Sequence, residues 1–181
     1  MTGVGAHTLI QPVVLIMISI RRVTSDDASI FRDVRLRALQ DSPEAFGATY
    51  DGAMKRTEDS WQDQVAQAAA GSLRNTLLAF DGTSCVGLAS LYREQDASEG
   101  EILQMWVEPG SRGAGTAARL VSELLEWAQT VGIQTVNLAV TTTNERAIKF
   151  YEKCGFRLTG EQIEVDASRH LRGFLMRRRG S

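Results

Sequence analysis

Residues 101–130 read EILQMWVEPGSRGAGTAARLVSELLEWAQT, and the change of period within them decides the fold. EILQMWV is strand-like and Pro109 marks a turn. After it Ala117, Leu120, Val121, Leu124, Leu125 and Ala128 fall at i, i+3, i+4, i+7, i+8 and i+11. Such a stripe belongs to an amphipathic helix packed on one face. Gly132 stops it, and TVNLAV at 135–140 alternates as a strand again. Strand, helix and strand in this order imply a parallel crossover within one sheet.

Working outward, NTLLAFDG, SCVGLASLYRE and EILQMWV are three strand-like runs separated by turn or polar residues, which predicts antiparallel pairing. Before them stand a strand at about 17–23 and a helix that Ser25 caps, with Asp26 and Asp27 near its positive end and Ile30, Phe31, Val34 and Ala38 on its apolar face. A turn-rich stretch, DSPEAFGATYDG, leads to a second helix that begins near TEDSW and ends by Gly71. After the crossover, NERAIKFYEKC forms a short helix ended by Gly155, and strands at about 156–165 and 171–177 close the chain. The predicted order is βαα-βββ-α-β-α-ββ, an α/β (α+β) single domain with a mixed central sheet and flanking helices.

Composition narrows the function classes. With 43% hydrophobic and 23% charged residues, the 181-residue chain reads as one ordinary globular domain. Twenty basic against 22 acidic residues leave a net charge of −2, which offers no field for nucleic acid or an anionic membrane. Cys85 and Cys154 stand far apart in apolar surroundings, so neither a disulfide scaffold nor a metal site is indicated. The apolar run LIQPVVLIMISI at 9–20 is too short for a membrane span, and no basic region precedes it. The expectation is a cytoplasmic protein with a flexible extension at 1–16, a folded domain at 17–177 and a basic tail at 178–181.

The small residues Gly113, Ala114, Gly115, Thr116 and Ala117 at the head of the strong helix need a reason. A helix start after a strand and turn aims several unpaired N–H groups at one spot, and the helix dipole adds roughly half a positive charge there. An anion is the natural occupant, phosphate above all, and missing side chains let it reach the backbone. Arg112 adds a full charge at the threshold. A P-loop is excluded because Thr116 and Ala117, not Lys and Ser or Thr, follow Gly115. A dinucleotide fold is disfavoured because 127–144 contains no Asp or Glu to hold a ribose.

Arg112, Gly115 and Ala117 also match the first signature of the GCN5-related N-acetyltransferases, the GNAT family. The second, an asparagine heading a short helix that carries a tyrosine and ends in Gly-Phe, is matched by Asn144, Ala147, Tyr151, Gly155 and Phe156. The chain resembles this family over residues 17–177, with Ser111 and Ala114 as departures where an aromatic and a lysine are common. The resemblance implies an acetyl-CoA-dependent N-acetyltransferase that moves acetyl directly to a primary amine with no metal. The acceptor is a small-molecule or protein amine, and a homodimer is among the arrangements relatives adopt. The alternative is a non-catalytic acyl-CoA-binding or regulatory domain of the same fold.

Residue by residue, the resemblance puts CoA on Arg112, Gly113, Ala114, Gly115, Thr116 and Ala117, on the backbone of Met105, Trp106 and Val107, and on Asn144, which also suits a helix cap. An alkyl amine is only about 0.04% neutral at pH 7, so a general base matters. Glu101, eleven residues before Arg112, is the candidate, with Glu99 and Glu108 behind it. Tyr151 is the candidate acid for the departing thiolate, with core packing as its other reading; Trp106 reads more as core. Phe46 and Tyr50, beside Glu44, Asp51 and Glu58, are the candidates for binding a cationic acceptor.

Overall fold

The computed structural model describes residues 18–180, so the expectation for 1–16 lies outside the described residues. In chain order the elements are β1 Ile18–Arg22, α1 Ala28–Asp41, α2 Tyr50–Met54, α3 Glu58–Ala70, β2 Arg74–Asp81, β3 Ser84–Tyr92, β4 Glu99–Val107, α4 Thr116–Thr130, β5 Thr135–Thr141, α5 Glu145–Lys153, β6 Arg157–Asp166 and β7 Leu171–Arg179. Three local readings change. Tyr50–Met54 forms a short helix within the turn-rich stretch, where the Gly52 N–H donates to Thr49 Oγ1 at 3.1 Å. Ser25–Asp27 is a 3-10 turn whose start is fixed one residue earlier, because the Thr24 N–H donates to Asp27 Oδ2 at 2.7 Å. Arg178 and Arg179 pair opposite Val136 and Thr135 and so belong to β7 rather than to a basic tail.

The sheet has seven strands in the order β1-β2-β3-β4-β5-β7-β6. Every neighbouring pair is antiparallel except β4 and β5, the two strands joined by the α4 crossover. Each face carries its own core. On one side Leu120, Val121, Leu124 and Ala128 of α4 pack with Leu77, Leu91, Ile102, Leu138, Phe156 and Met176. On the other, Phe31, Val34, Ala38 and Leu39 of α1 and Trp61 and Val65 of α3 cover Leu78, Leu88 and Trp106. Each such fully buried leucine or phenylalanine contributes about 1.5–3 kcal/mol relative to exposure.

The functional geometry comes from the one parallel joint. β4 and β5 pair only through Glu99–Glu101 and Thr135–Asn137. At that joint Gly100 lets the layers close, since a Cβ there would stand 2.9 Å from Leu91 Cδ2 and 3.1 Å from Ile133 Cδ1. Beyond it the register of β4 against β3 slips between Leu88 and Ser90, and Gln104 takes a φ of 58°. An extra residue of this kind bends its strand and strengthens the local twist. The two strands therefore diverge, and a wedge opens in the middle of the sheet.

Candidate active site

The wedge is a cleft of about 570 Å³. Its walls include Glu101, Ile102, Leu103, Gln104 and Met105 of β4 and Leu138 to Thr141 of β5. Past Glu101, β4 has no strand partner on its β5 side. A strand edge of this kind can take up the amide groups of an extended ligand. Of the predicted backbone contacts, Met105 lines the cleft, Trp106 points its indole into the α1–α3 core, and the Val107 carbonyl accepts from Arg112 Nε at 2.7 Å.

At the C-terminal end of β4 the chain turns through Pro109–Ser111 into α4. Gly113 and Gly115 have φ of 88° and 81°, a left-handed conformation that glycine adopts without strain. A Cβ at either position would meet nothing within 4 Å, so the glycines serve the path of the loop and leave its outer surface bare. The N–H groups from Gly113 through Ala118 find no acceptor among the described residues, and the Thr116 hydroxyl is buried without a partner. Together with the positive end of α4 they present a cluster of donors of the kind that suits an anion.

Arg112 is placed differently from the expectation of a free charge. Its Nη2 donates to Asp41 Oδ2 at 2.6 Å, and that same oxygen accepts from Trp106 Nε1 at 2.9 Å. Desolvation pushes the Asp41 carboxyl up, but the bonds from Trp106, Ser42 and Arg112 outweigh it and hold the group below the usual range. The guanidinium thus ties the loop to the C-terminus of α1.

Asn144 caps α5 by accepting the Ala147 N–H at 3.0 Å on Oδ1, while the residue also lines the cleft. Tyr151, about two turns further along α5 on the same face, is 7% exposed and stacks edge-on against Phe156 at 5.8 Å and Phe150 at 5.0 Å. Tyr151 is at once a residue of the core and part of the cleft wall. Burial, with a smaller push from Cys154, raises its phenol well above the ordinary range and keeps the proton on Oη. Glu101 lies on the cleft wall, exposed on its outer side, where partial desolvation raises its carboxyl as well. Glu99 instead accepts from Asn137 at 2.9 Å, and Glu108 pairs with Arg37 at 2.8 Å. Burial pushes the Cys85 thiol up to about 11 and raises Cys154 too, so neither is a ready nucleophile.

On the α1–α3 side, Phe46 lines the cleft, whereas Tyr50 packs at the edge of the core and is not part of that wall. Glu44, Asp51 and Glu58 are likewise outside it, and Glu58 faces Arg32 at 3.5 Å. The wall instead carries Arg35, Arg74, Gln64 and Gln104; Gln104 Oε1 accepts from Gln64 Nε2 at 3.3 Å and from the buried Ser90 Oγ behind the wall at 3.1 Å. Sequence reading passed over these residues. The signal for Arg35 was a charge at i+4 from Phe31, inside the apolar stripe of α1.

The model of the acetyltransferase (GNAT) family matches residues 36–156. A mycothiol acetyltransferase of Brachybacterium faecium is 27% identical over 147 residues, 80% of this chain and 42% of that protein. The chain therefore spans about two fifths of the length of that curated relative. Among solved structures, a GNAT-family acetyltransferase from Streptococcus pneumoniae superposes with a TM-score of 0.79 at 22% identity, covering 91% of this chain and 100% of that one. The PaiA N-acetyltransferase of Thermoplasma acidophilum, solved in complex with coenzyme A, superposes with a TM-score of 0.72 at 19% identity, covering 91% and 99%. With the family model matched over most of the domain, from α1 to the start of β6, the chain belongs to the GNAT acetyltransferase family.

Proposed function

We propose that the protein transfers the acetyl group of acetyl-CoA directly to a primary amine. One observation carries this reading. The unpartnered N–H groups from Gly113 through Ala118 stand at the end of the same strand whose splayed edge walls a cleft containing Glu101 and Tyr151. The donors suit a pyrophosphate, and the bare surface at Gly113 and Gly115 lets it approach the backbone. Arg112 acts by holding that loop against Asp41, so its contribution to affinity is positional. The open edge of β4 at Ile102–Trp106 pairs with an extended amide-bearing arm in the manner of an added strand.

When bound, acetyl-CoA supplies a thioester carbon for the amine and a sulfur that leaves. Glu101 takes the proton of the incoming ammonium, and its raised carboxyl brings it nearer to the operating pH at which a general base works best. Tyr151 holds a proton at Oη for the departing sulfur as the C–N bond forms and the C–S bond breaks. The new amide nitrogen sheds its second proton as the carbonyl re-forms, the Tyr151 phenolate regains one, and Glu101 releases the proton it took to solvent, so one proton leaves per turnover.

The test is release of CoA thiol from acetyl-CoA over a broad panel of primary amines, with calorimetric titration of CoA into wild type and Gly115→Val. Thiol release that depends on an amine, together with loss of CoA binding in the variant, is expected. CoA binding without release to any amine would instead identify a non-catalytic acyl-CoA-binding domain.

A further inference from the structure

The α1 side of the cleft carries two guanidinium groups that acetyl transfer itself does not use. Arg35 is 5% exposed, and its Nη1 is buried with no hydrogen-bond partner. Its guanidinium lies 4.4 Å over the Phe46 ring, and it forms no ion pair or hydrogen bond with any described residue. Burial and the nearby charge of Arg56 push it down to about 10, which marks a cation held without compensation. Arg74 repeats the pattern on β2: its Nε is buried and unpartnered, and its guanidinium sits 5.2 Å over Tyr92. Both side chains line the cleft.

The strand register relates them to the proposed base. Arg74 stands opposite Tyr92, and Tyr92 opposite Glu101, so all three share one face of the sheet. Two strand spacings separate Arg74 from Glu101 at the backbone, roughly 10 Å, which two long side chains reduce to the span of a small molecule. Glu101 and Glu164 are the acidic residues of the cleft wall, and neither pairs with Arg35 or Arg74 among the described residues. The wall is thus negative where the amine must lose its proton and positive beyond it.

We infer that the acceptor is a small amine bearing a carboxylate, an amino acid or a close derivative, whose carboxylate binds Arg35 and Arg74 while its amine faces Glu101. This rests on the acetyl-transfer reading of the same cleft. A guanidinium donates two parallel bonds to a carboxylate, and desolvated surroundings strengthen them. The same two cations repel a polyamine, so selection against purely cationic acceptors is built into the wall.

The experiment titrates the twenty amino acids, their carboxamides and spermidine, one at a time, into CoA-saturated protein by calorimetry. At least one amino acid should bind, with its carboxamide weaker by roughly ten- to hundredfold, the scale of a lost charge-assisted bond. Arg35→Met and Arg74→Met should each abolish that preference while CoA affinity stays at the wild-type level. Arg35→Met should also raise the melting temperature of the free protein, because it removes an uncompensated buried charge, whereas a merely structural arginine would leave the ratio of acid to amide untouched. Should one variant fail to fold, the acid-to-amide ratio in wild type and the other variant still decide. Binding of no amino acid, equal binding of acid and amide, or tightest binding of spermidine would overturn the inference. Thiol release is followed separately on the amino acids that bind: binding without release removes the acetyl-transfer reading and leaves the carboxylate pocket standing.

Discussion

Arg112 and Asp41, seventy-one positions apart in the chain, meet at 2.6 Å and join the loop before α4 to the last residue of α1. The Asp41 oxygen that accepts this bond also accepts the Trp106 indole N–H. One carboxylate therefore sets both the outer position of the loop and the seat of the strand that leads into it.

Removing that carboxylate should loosen the loop without touching the donors themselves. Asp41→Ala is expected to destabilise the protein by about 1 kcal/mol, a modest value because the pair is partly solvent-exposed. CoA affinity should fall severalfold, and Arg112→Ala should give a similar loss. A double variant no worse than either single one would identify a shared positional role, measured by calorimetry as a double-mutant cycle. Additive losses would mean that Arg112 touches the ligand directly.

Glu101→Gln should lower kcat at neutral pH by about 10²-fold, in the range of general-base catalysis. Partial desolvation raises the wild-type carboxyl, so its activity should climb with pH through a value above the ordinary glutamate range, as the deprotonated form accumulates. The variant should lose that limb and regain rate only at high pH, where free amine is abundant. An unchanged pH–rate profile would remove Glu101 from the mechanism.

Tyr151→Phe keeps the ring that packs against Phe156 and Phe150 and deletes only the hydroxyl. Thiol release should slow at least tenfold, with CoA affinity and melting temperature close to wild type. Tyr151→Ala, by contrast, should cost about 3–5 kcal/mol of stability because it empties a core position. If Tyr151→Phe proved as unstable as the alanine variant, the hydroxyl would matter to folding and not to proton transfer.

Acid should weaken the N-terminal edge of the sheet. Hydrogen bonds from Arg21, against desolvation and with help from Thr24, lower the Asp27 carboxyl to about 2. A folded value below the unfolded one stabilises the protein above pH of about 4, and the contribution disappears as pH falls through about 2; over that window it amounts to roughly 2 kcal/mol. Asp27→Asn should unfold more easily at neutral pH yet show a shallower loss between pH of about 4 and about 2 in urea titrations.

Much of the fold was legible because it is written in local periods. The stripe from Ala117 to Ala128, the glycines at 71, 132 and 155 and the alternation at 135–140 mark elements that the structure places within a residue or two of their expected ends. The five-residue helix at Tyr50–Met54 escaped because one turn carries too little periodicity to separate from a loop. Arg178 and Arg179 looked like part of a tail because arginines at the end of a strand and solvated arginines have the same composition.

Site residues divide in the same way. The small-residue run 113–117 and the pattern from Asn144 to Phe156 could be found in sequence, since each is a continuous stretch whose backbone does the work. Partners separated along the chain could not. Nothing in sequence couples Arg112 to Asp41, sets Gln104 in a left-handed bulge, or leaves Arg35 and Arg74 unpaired beside one cleft. Local steric preference and hydrophobic period act over a few residues and so can be read from a one-dimensional string. The splay of β4 from β5, and the charges it brings face to face, arise only when sheet twist, bulge and the packing of two helical layers are satisfied together.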